Sequence, residues 1–389
     1  MSARRQRVEP FHAVSINRLA HERTRRGLDV FHMEVGQPSA GAPRAALAAA
    51  ARALQDSRLG YWESGALKER IARHYAETYG VAIAPDQVVL TPGASGALLL
   101  AFTVLLDAGD RVALGRPGYP AYRNVLRTLG MEPVEIACGP ESRYQPTPAM
   151  IDALDPAPAA LIVASPANPT GTMLARGELA ALAAACRRRG IALISDEIYH
   201  GISYGERAIS ALEVDASSLV INSFSKYWCM TGWRLGWLVA PENLVDPMNT
   251  YSGNIFLTPS ALSQHAALAA MDAHEELGGH LATYAANRAQ VMSTLRELGI
   301  TELAPADGAF YVYANIGHLT DDSLGFCKRL LADTGVAFNT GLDFDPLEGH
   351  RWLRISFAVS SAETGEAMRR FGAWLVAHRD GNGSRRMSP

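Results

Sequence analysis

The middle of the chain repeats one pattern, in which a short apolar run is followed by a turn and a longer segment with helical periodicity. The apolar runs Ala159–Ala164 and Ile191–Ser195, for example, flank the helical pattern Arg176–Arg189, which ends at Gly190. This alternation is typical of a parallel sheet with helices on both faces, because parallel strands need a long crossover between them. We therefore predict an α/β fold with a mainly parallel sheet.

The pattern changes after about residue 275, where strand–helix alternation gives way to one long amphipathic segment. Leu281, Tyr284, Val291 and Leu295 form a stripe on a helix that ends at Gly299. A shorter α+β pattern follows. We predict a large domain over residues 41–280, a small domain built from residues 1–40 and 281–379, and a disordered tail at residues 380–389.

The composition excludes several classes of protein. The chain has 389 residues, of which 48% are hydrophobic and 19% are charged, so it can fill a large core. A net charge of −3 gives no indication of a nucleic-acid or membrane partner. Neither a membrane span nor the apolar stretch of a signal peptide is evident, and the 4 cysteines are widely spaced. We predict a cytoplasmic protein without a metal site.

The segment Ser223–Gly236 contains a single lysine, Lys226, directly after an apolar run and among small and aromatic residues. Burial disfavours a charged ammonium, so a partly desolvated lysine has a lowered pKa, and its free amine forms a Schiff base with a carbonyl. Arg234 is a candidate phosphate ligand in the same segment. Taken alone, the segment fits a surface lysine with aromatic neighbours slightly better.

Three further polar segments also follow predicted strands. Asp196 and Tyr199 come after an apolar run, at the edge where a parallel sheet presents ligands. The segment Thr91–Gly96 leads into a helix, whose free N–H groups favour an anion such as phosphate. Asn168 lies in a proline-rich turn. Each segment on its own also fits a structural role as a helix cap or a tight turn.

Together the four segments supply an amine, a carboxylate, a phenol, an amide and two phosphate-binding elements, which are the groups that pyridoxal phosphate requires. The sequence resembles the class I/II aminotransferase family of fold-type I pyridoxal-phosphate enzymes, from about Pro10 to about Trp374. The resemblance implies pyridoxal 5'-phosphate as cofactor. It also implies a mainly parallel seven-stranded sheet between helices, a smaller α+β domain, and a homodimer with shared active sites.

The resemblance assigns a catalytic role to three residues. Lys226 matches the Schiff-base lysine that later moves the proton, and Asp196 matches the carboxylate that keeps the pyridine nitrogen protonated. Tyr199 matches a hydrogen-bond partner of the cofactor's phenolic oxygen. Asn168 matches a second such partner, which also contacts the substrate, and its bond to Pro169 is expected to be cis.

The resemblance also assigns the remaining contacts. Arg354 matches the arginine that binds the substrate carboxylate, and Gly36 matches the loop glycine that closes over it. In one aspartate-specific branch, a lysine at the position of Ser95 binds the distal carboxylate. The other implied cofactor contacts are Gly93, Ala94, Ser95, Tyr119, Ser223, Ser225 and Arg234, with Tyr61 reaching the phosphate of the neighbouring subunit.

The implied reaction transfers the amino group of an L-amino acid to a 2-oxo acid, for which we expect 2-oxoglutarate. The absence of a further placed basic residue favours a neutral or aromatic donor. A β-elimination (carbon–sulfur) lyase stays open, because it would share the same cofactor contacts. A remote alternative is a serine hydrolase, since Gly201–Gly205 matches the pattern G-x-S-x-G. That motif would need a strand immediately before it and a helix after it.

Overall fold

The computed structural model describes residues 8–383. Its helices are α1 (His12–Arg25), α2 (Arg44–Asp56), α3 (Gly65–Tyr79), α4 (Gly93–Leu105), α5 (Pro120–Leu129), α6 (Pro148–Asp152), α7 (Arg176–Arg188), α8 (Val245–Ile255), α9 (Ala261–Ala270), α10 (His274–Glu297), α11 (Ser323–Thr334) and α12 (Ser361–Gly383). Its strands are β1 (Phe31–His32), β2 (Val88–Thr91), β3 (Arg111–Arg116), β4 (Glu132–Ala137), β5 (Ala160–Ala164), β6 (Ala192–Asp196), β7 (Leu219–Ser223), β8 (Gly236–Val239), β9 (Tyr311–Asn315), β10 (Val336–Ala337), β11 (Asn339–Thr340) and β12 (Trp352–Ser356).

The largest sheet has seven strands in the order β2-β8-β7-β6-β5-β3-β4. All of them run parallel except β8, which pairs antiparallel with both β2 and β7. Strands β2, β7 and β8 are buried along their whole length, which explains why they read as continuous apolar runs in the sequence. The predicted seven-stranded, mainly parallel sheet is confirmed.

Helices cover both faces of this sheet, and the side chains of β2 show how they do so. Val88 and Leu90 belong to a core that packs against α2, α3 and α9, whereas Val89 points into a second core against α4. The strand therefore alternates between two hydrophobic cores, as a strand buried on both faces must. At β2 both faces of the sheet are consequently closed to solvent.

A separate core is formed mainly by the C-terminal third of the chain. An antiparallel sheet in the order β11-β12-β9 packs with α10, α11 and α12, and α1 contributes Ile16 and Ala20. The short strands β1 and β10 pair in parallel, with Phe31 opposite Val336, and so fix the N-terminal segment to this part. The domain boundaries given above stay predictions. Helix α12 runs to Gly383, and residues 384–389 of the predicted tail lie outside the described residues.

The parallel strands bring their carboxyl ends to one edge of the sheet. The ends of β6 and β7 lie there at Asp196 and Ser223, and α4 begins two residues after β2. This is the edge where open α/β sheets bind ligands. None of the helices in the described part of the chain is long and apolar enough to span a membrane.

Candidate active site

A cavity of about 520 Å³ opens at this edge, between the central sheet, α1 and the antiparallel sheet. It collects residues that are far apart in the sequence. The predicted site residues that line it are Gly36, Ala94, Ser95, Tyr119, Asn168, Asp196, Tyr199, Ser225, Lys226, Arg234 and Arg354. The structure therefore brings together all four of the polar segments that the sequence singled out.

Lys226 lies in the loop that joins β7 to β8, and its Nζ donates a hydrogen bond to the backbone oxygen of Gly36. Burial lowers the pKa of Lys226 to about 8, and the positive charges of Arg354 and Arg234 act in the same direction. The carboxylate of Asp196 opposes them. About a tenth of the amine is therefore uncharged at pH 7, far more than for a lysine in water, which favours Schiff-base formation.

Asp196 ends β6 and is buried. Its Oδ2 accepts a hydrogen bond from the hydroxyl of Tyr122 at 2.6 Å, and its Oδ1 accepts one from the N–H of Ile198 at 3.0 Å. Burial raises the pKa of Asp196, whereas these hydrogen bonds and the charge of Lys226 lower it. A cationic group placed in the cavity would favour the ionised form, as a protonated pyridine nitrogen does.

The neighbouring carboxyl group of Glu197 has a different role. Its Oε1 accepts hydrogen bonds from Ser195 Oγ at 3.2 Å, from Ser210 Oγ at 3.0 Å and from the N–H of Ala211 at 2.8 Å. Burial raises the pKa of Glu197 to about 8. Glu197 is not among the residues that line the cavity, so it anchors the segment after β6 while Asp196 faces the cavity.

The start of α4 and Arg234 form an anion-binding corner. Gly93, the first residue of α4, has a φ of +73°, and a Cβ there would lie 2.6 Å from Nη2 of Arg234. The guanidinium group thus lies against the helix start, whose free N–H groups attract an anion. Ser223 donates to Ser225 at 2.9 Å just behind this corner, and Ser225 lines the cavity.

Arg354 forms the opposite end of the cavity. Its Nη1 donates to Oδ1 of Asn168 at 3.1 Å, and its Nη2 donates to the backbone oxygen of Glu34 at 2.6 Å. Its buried Nε has no hydrogen-bond partner among the described residues. The guanidinium group lies over the rings of Tyr311 and Phe344, at 4.5 and 4.7 Å from their centroids. A preorganised arginine with a free donor suits a carboxylate ligand. The Asn168–Pro169 bond is cis, as expected.

Tyr199 and Tyr311 share a hydrogen bond inside the cavity. Their hydroxyl oxygens lie 2.7 Å apart, and either group can be the donor. Burial raises the pKa of Tyr199 well above its usual value, so its hydroxyl stays protonated and able to donate. A Cβ on Gly36 would collide with the hydroxyl of Tyr311, which explains why this loop position is glycine.

Gly93 and Ser223 lie at the anion-binding corner rather than in the lining of the cavity. Two other sequence-based expectations fall outside both the lining and this corner. The side chain of Tyr61 is 84% exposed and is not among the lining residues, so its contact with a second subunit stays a prediction. The segment Gly201–Gly205 follows a turn rather than a strand and is not followed directly by a helix. Ser203 instead forms an isolated bridge with Gly308. This segment therefore lacks the strand before it and the helix after it that a hydrolase nucleophile needs.

Several lining residues were missed by the sequence analysis. Tyr122 stands three residues after Tyr119, which the sequence analysis named as a cofactor contact, so its position on α5 was a usable signal. Tyr311, Glu34 and the side chains of α1 carry no such signal, because they reach the cavity only through long-range packing. Phe11, Val14, Asn17 and His21 are the larger side chains that the segment around α1 contributes.

The residues present fit pyridoxal phosphate. The anion-binding corner suits the phosphate, the amine of Lys226 suits the carbonyl, and the carboxylate of Asp196 suits the ring nitrogen. Tyr119 adds an aromatic ring to the same cavity, and the Tyr199 hydroxyl adds a donor.

Comparisons with known proteins agree with the geometry. The family model described as aminotransferase class I and II matches residues 29–371. The chain is 48% identical to a valine–pyruvate aminotransferase of Mycobacterium tuberculosis over 95% of this chain and 97% of that protein. The crystal structure of an aminotransferase from Mycobacterium tuberculosis superposes with a TM-score of 0.94 at 48% identity, covering 97% of this chain and 99% of that chain.

A more distant structure shows the same fold. The aspartate aminotransferase of Thermus thermophilus with maleate has a TM-score of 0.88 at 30% identity, covering 96% of this chain and 99% of that one. Both the sequence and the fold are therefore shared over nearly the whole length. The chain belongs to the class I and II aminotransferase family, whose members are fold-type I enzymes that depend on pyridoxal phosphate.

Proposed function

We propose that this aminotransferase moves the amino group of a neutral L-amino acid, with valine as the preferred donor, to pyruvate. The observation that carries the proposal is the charge inventory of the cavity. Among the described lining residues, the lysine and arginine side chains are Lys226, Arg234 and Arg354. Each already has a task, at the imine carbon, the phosphate and the substrate α-carboxylate. No lysine or arginine is left for a second carboxylate, which aspartate and 2-oxoglutarate both carry, and the remaining basic side chain of the lining is His21.

The apolar side of the cavity supports the same substrate class. Phe11, Val14, Val35, Leu98 and Ile198 line it, and they suit a branched aliphatic side chain. The relative at 48% identity is named for valine and pyruvate. Pyruvate therefore replaces 2-oxoglutarate, the acceptor that we expected from the sequence, in this proposal.

We propose the following division of labour among the residues. When bound, pyridoxal phosphate supplies a carbon that forms Schiff bases with amines and a ring that takes up the electron pair of a broken Cα–H bond. Lys226 Nζ would remove the proton from the substrate Cα and would deliver it to the carbonyl-derived carbon of the cofactor, and Asp196 would hold the positive charge of the ring nitrogen. Tyr199 and Asn168 bind the phenolic oxygen. Arg354 holds the substrate carboxylate, so that the Cα–H bond faces Lys226.

The test is a pair of half-reactions on the cofactor-loaded enzyme. Each amino acid is first added without a 2-oxo acid, and the 2-oxo product is identified by mass spectrometry. The enzyme that has taken up the amino group is then treated with pyruvate or with 2-oxoglutarate. We expect valine to exceed aspartate, and pyruvate to exceed 2-oxoglutarate, by at least about tenfold in kcat/KM. The opposite order would reject the proposal. If ammonia accumulates while the absorption band of the cofactor–lysine Schiff base recovers, the enzyme is a lyase.

A single substitution sharpens this test. Ser95→Lys adds a cation where the aspartate-specific branch has its lysine, so it should raise kcat/KM for 2-oxoglutarate while lowering that for pyruvate. Ser95→Ala is the matched control, since it changes the size of the side chain without adding charge. A Ser95→Lys variant that gains no activity towards 2-oxoglutarate would show that missing positive charge is not what excludes dicarboxylates.

We also propose that the enzyme works as a cytoplasmic homodimer with shared sites. The exposed ring of Tyr61 supports the shared site, because a large aromatic side chain left in solvent is available to a second subunit. The four cysteines are free and buried, which supports a reducing compartment. Mixing inactive Lys226→Ala and Tyr61→Ala subunits should restore activity in the heterodimer, and no restoration would contradict sharing.

A further inference from the structure

Tyr311 on β9 contacts three functional groups of the active site, although no motif pointed to it. Its hydroxyl oxygen lies 2.7 Å from that of Tyr199, and its ring centroid lies 4.5 Å from the guanidinium carbon of Arg354. Its hydroxyl also occupies the space that a side chain at Gly36 would need. The side chain is fully buried. Tyr311 therefore links the cofactor end of the cavity to its carboxylate end.

The hydrogen-bonding capacity of the two hydroxyls fixes which one donates when the site is loaded. Each hydroxyl has one proton to donate and two lone pairs to accept with. In the absence of a ligand, either oxygen can be the donor. Once the proton of Tyr199 is directed at the cofactor's phenolic oxygen, the bond between the two tyrosines survives only if Tyr311 donates to Tyr199.

We infer that Tyr311 is a positioning residue that donates a hydrogen bond to Tyr199, directs the Tyr199 proton at the phenolic oxygen, and supports Arg354 with its ring. The inference rests on the proposed role of Tyr199. A hydroxyl that accepts a hydrogen bond becomes a stronger donor, so the two bonds strengthen one another. The other ionisable groups that act on this pair are Arg354 on β12 and Tyr119 just before α5.

The first test removes the hydroxyl and keeps the ring. In the loaded enzyme, a donor at the phenolic oxygen stabilises the negative charge that remains when the Schiff-base nitrogen loses its proton. Losing the donor therefore raises the pKa of that nitrogen, which a spectrophotometric pH titration measures. We expect Tyr199→Phe to raise the pKa of the Schiff-base nitrogen by about 1 to 2. Tyr311→Phe should raise it by roughly a few tenths, in the same direction.

The double variant Tyr199→Phe/Tyr311→Phe tests whether Tyr311 changes the pKa of the Schiff-base nitrogen only through Tyr199. Because Tyr311 acts through Tyr199, adding Tyr311→Phe to Tyr199→Phe should cause no further change in this pKa. Tyr313→Phe is the matched control, since Tyr313 lies on the same strand and its buried hydroxyl has no hydrogen-bond partner among the described residues. That control should titrate like the wild type.

The second test removes the ring. A buried arginine that loses an aromatic partner is held less firmly, so Tyr311→Leu should raise KM for the amino acid roughly tenfold. Tyr311→Phe keeps the ring and should leave KM within about twofold. Thermal unfolding of each variant shows whether it is folded, and the Tyr311→Phe result stands even if Tyr311→Leu does not fold.

The outcomes separate this inference from the proposal on which it rests. If Tyr311→Phe titrates like the wild type while Tyr199→Phe is shifted, Tyr311 only fills space and the inference fails alone. If Tyr199→Phe itself is not shifted, the proposed role of Tyr199 fails and the inference fails with it. Additive shifts in the double variant would overturn the route through Tyr199.

Discussion

The lysine in the cavity makes the stability of the protein depend on pH. In an unfolded chain the usual pKa of a lysine is 10.5, whereas burial lowers that of Lys226 in the folded chain to about 8. Between these values the unfolded chain holds a proton that the folded chain has released. The contribution of Lys226 to the free energy of unfolding therefore rises with pH across this window. Below pH 8 the full destabilising effect is present.

We predict that Lys226→Met removes this pH dependence from the cofactor-free protein. The free energy of unfolding of the wild type, relative to the variant, should rise by about 2 kcal/mol between pH 8 and 10.5, a value reduced for screening by cavity water. Urea unfolding at several pH values measures it. Buried tyrosines and cysteines titrate in both proteins and cancel in the difference. A difference that is flat with pH would contradict the low pKa.

Hydrogen bonds and ring contacts that fit a planar guanidinium group hold Arg354 in place. We therefore expect the planar shape of this group to contribute to substrate binding as much as its charge does. We predict that Arg354→Lys lowers kcat/KM for the amino donor by about 10- to 100-fold, because a lysine cannot keep the bonds to Asn168 and Glu34 while binding a carboxylate. Steady-state kinetics measure the effect. Arg351→Lys, at an exposed position three residues earlier, is the control. Equal losses in both variants would contradict the assignment.

Residues that directly follow strands were accessible to sequence analysis, and residues that arrive through packing were not. Lys226, Asp196 and Asn168 each come after an apolar run, and parallel strands present such positions at one edge. Tyr311 gave no comparable signal, because it lies within a buried strand whose apolar pattern predicts core packing. Its contact with Tyr199 depends on how two sheets meet, which local patterns do not encode.

Helix α1 forms one wall of the cavity and is fixed by residues from distant parts of the chain. The carboxylate of Asp343 accepts hydrogen bonds from the N–H groups of His12 at 2.7 Å and Ala13 at 2.9 Å. Asn17 donates to Glu34 at 3.0 Å. The residue before the helix, Phe11, provides no side-chain cap. The start of α1 therefore depends on a tertiary contact that replaces a local cap.

We predict that Asp343→Ala loosens this wall. Losing a cap typically removes about 0.5 to 2 kcal/mol, so KM for the amino donor should rise about threefold to tenfold with a smaller change in kcat. Proteolysis within α1 should also become faster, as followed by mass spectrometry. Asp246→Ala is the control, since Asp246 is exposed in the first turn of α8. An unchanged KM in Asp343→Ala would show that α1 does not bound the substrate.

Across the whole molecule, all four cysteines are free and buried. Burial raises the pKa of Cys186 and Cys229 to about 11 and that of Cys138 to about 12. The unfolded thiols ionise at lower pH, so the unfolded chain loses these protons first, and the contribution of the cysteines to stability should fall as the pH rises above about 9. Burial likewise raises the pKa of Cys327.

We predict that a thiol reagent labels the native enzyme slowly and labels four cysteines after unfolding in urea, because a buried protonated thiol is a poor nucleophile. The count is made by absorbance and checked by mass spectrometry. Labelling of the native enzyme at one cysteine, as fast as a free thiol reacts in solution, would contradict the burial of that residue.

The overall architecture was predictable, because buried strands leave continuous apolar runs and surface helices leave amphipathic ones. The antiparallel direction of β8 was not predictable, because an apolar run such as Leu235–Ala240 has the same composition in a parallel and in an antiparallel strand. Strands β1 and β10 have two residues each, too few to form a pattern. The proposed contact of Tyr61 with a neighbouring active site would involve a second copy of the chain, which no single-chain pattern encodes.

The pairing of β1 with β10 also has a consequence for synthesis on the ribosome. At about 5 to 20 residues per second, roughly 15 to 60 s separate the emergence of Phe31 from that of Val336. The strands of the central sheet are synthesised within this interval. The N-terminal strand β1, however, has no partner until β10 has been synthesised at the end of the interval. The nascent chain therefore carries an unpaired N-terminal segment and an incomplete active site until translation is nearly finished.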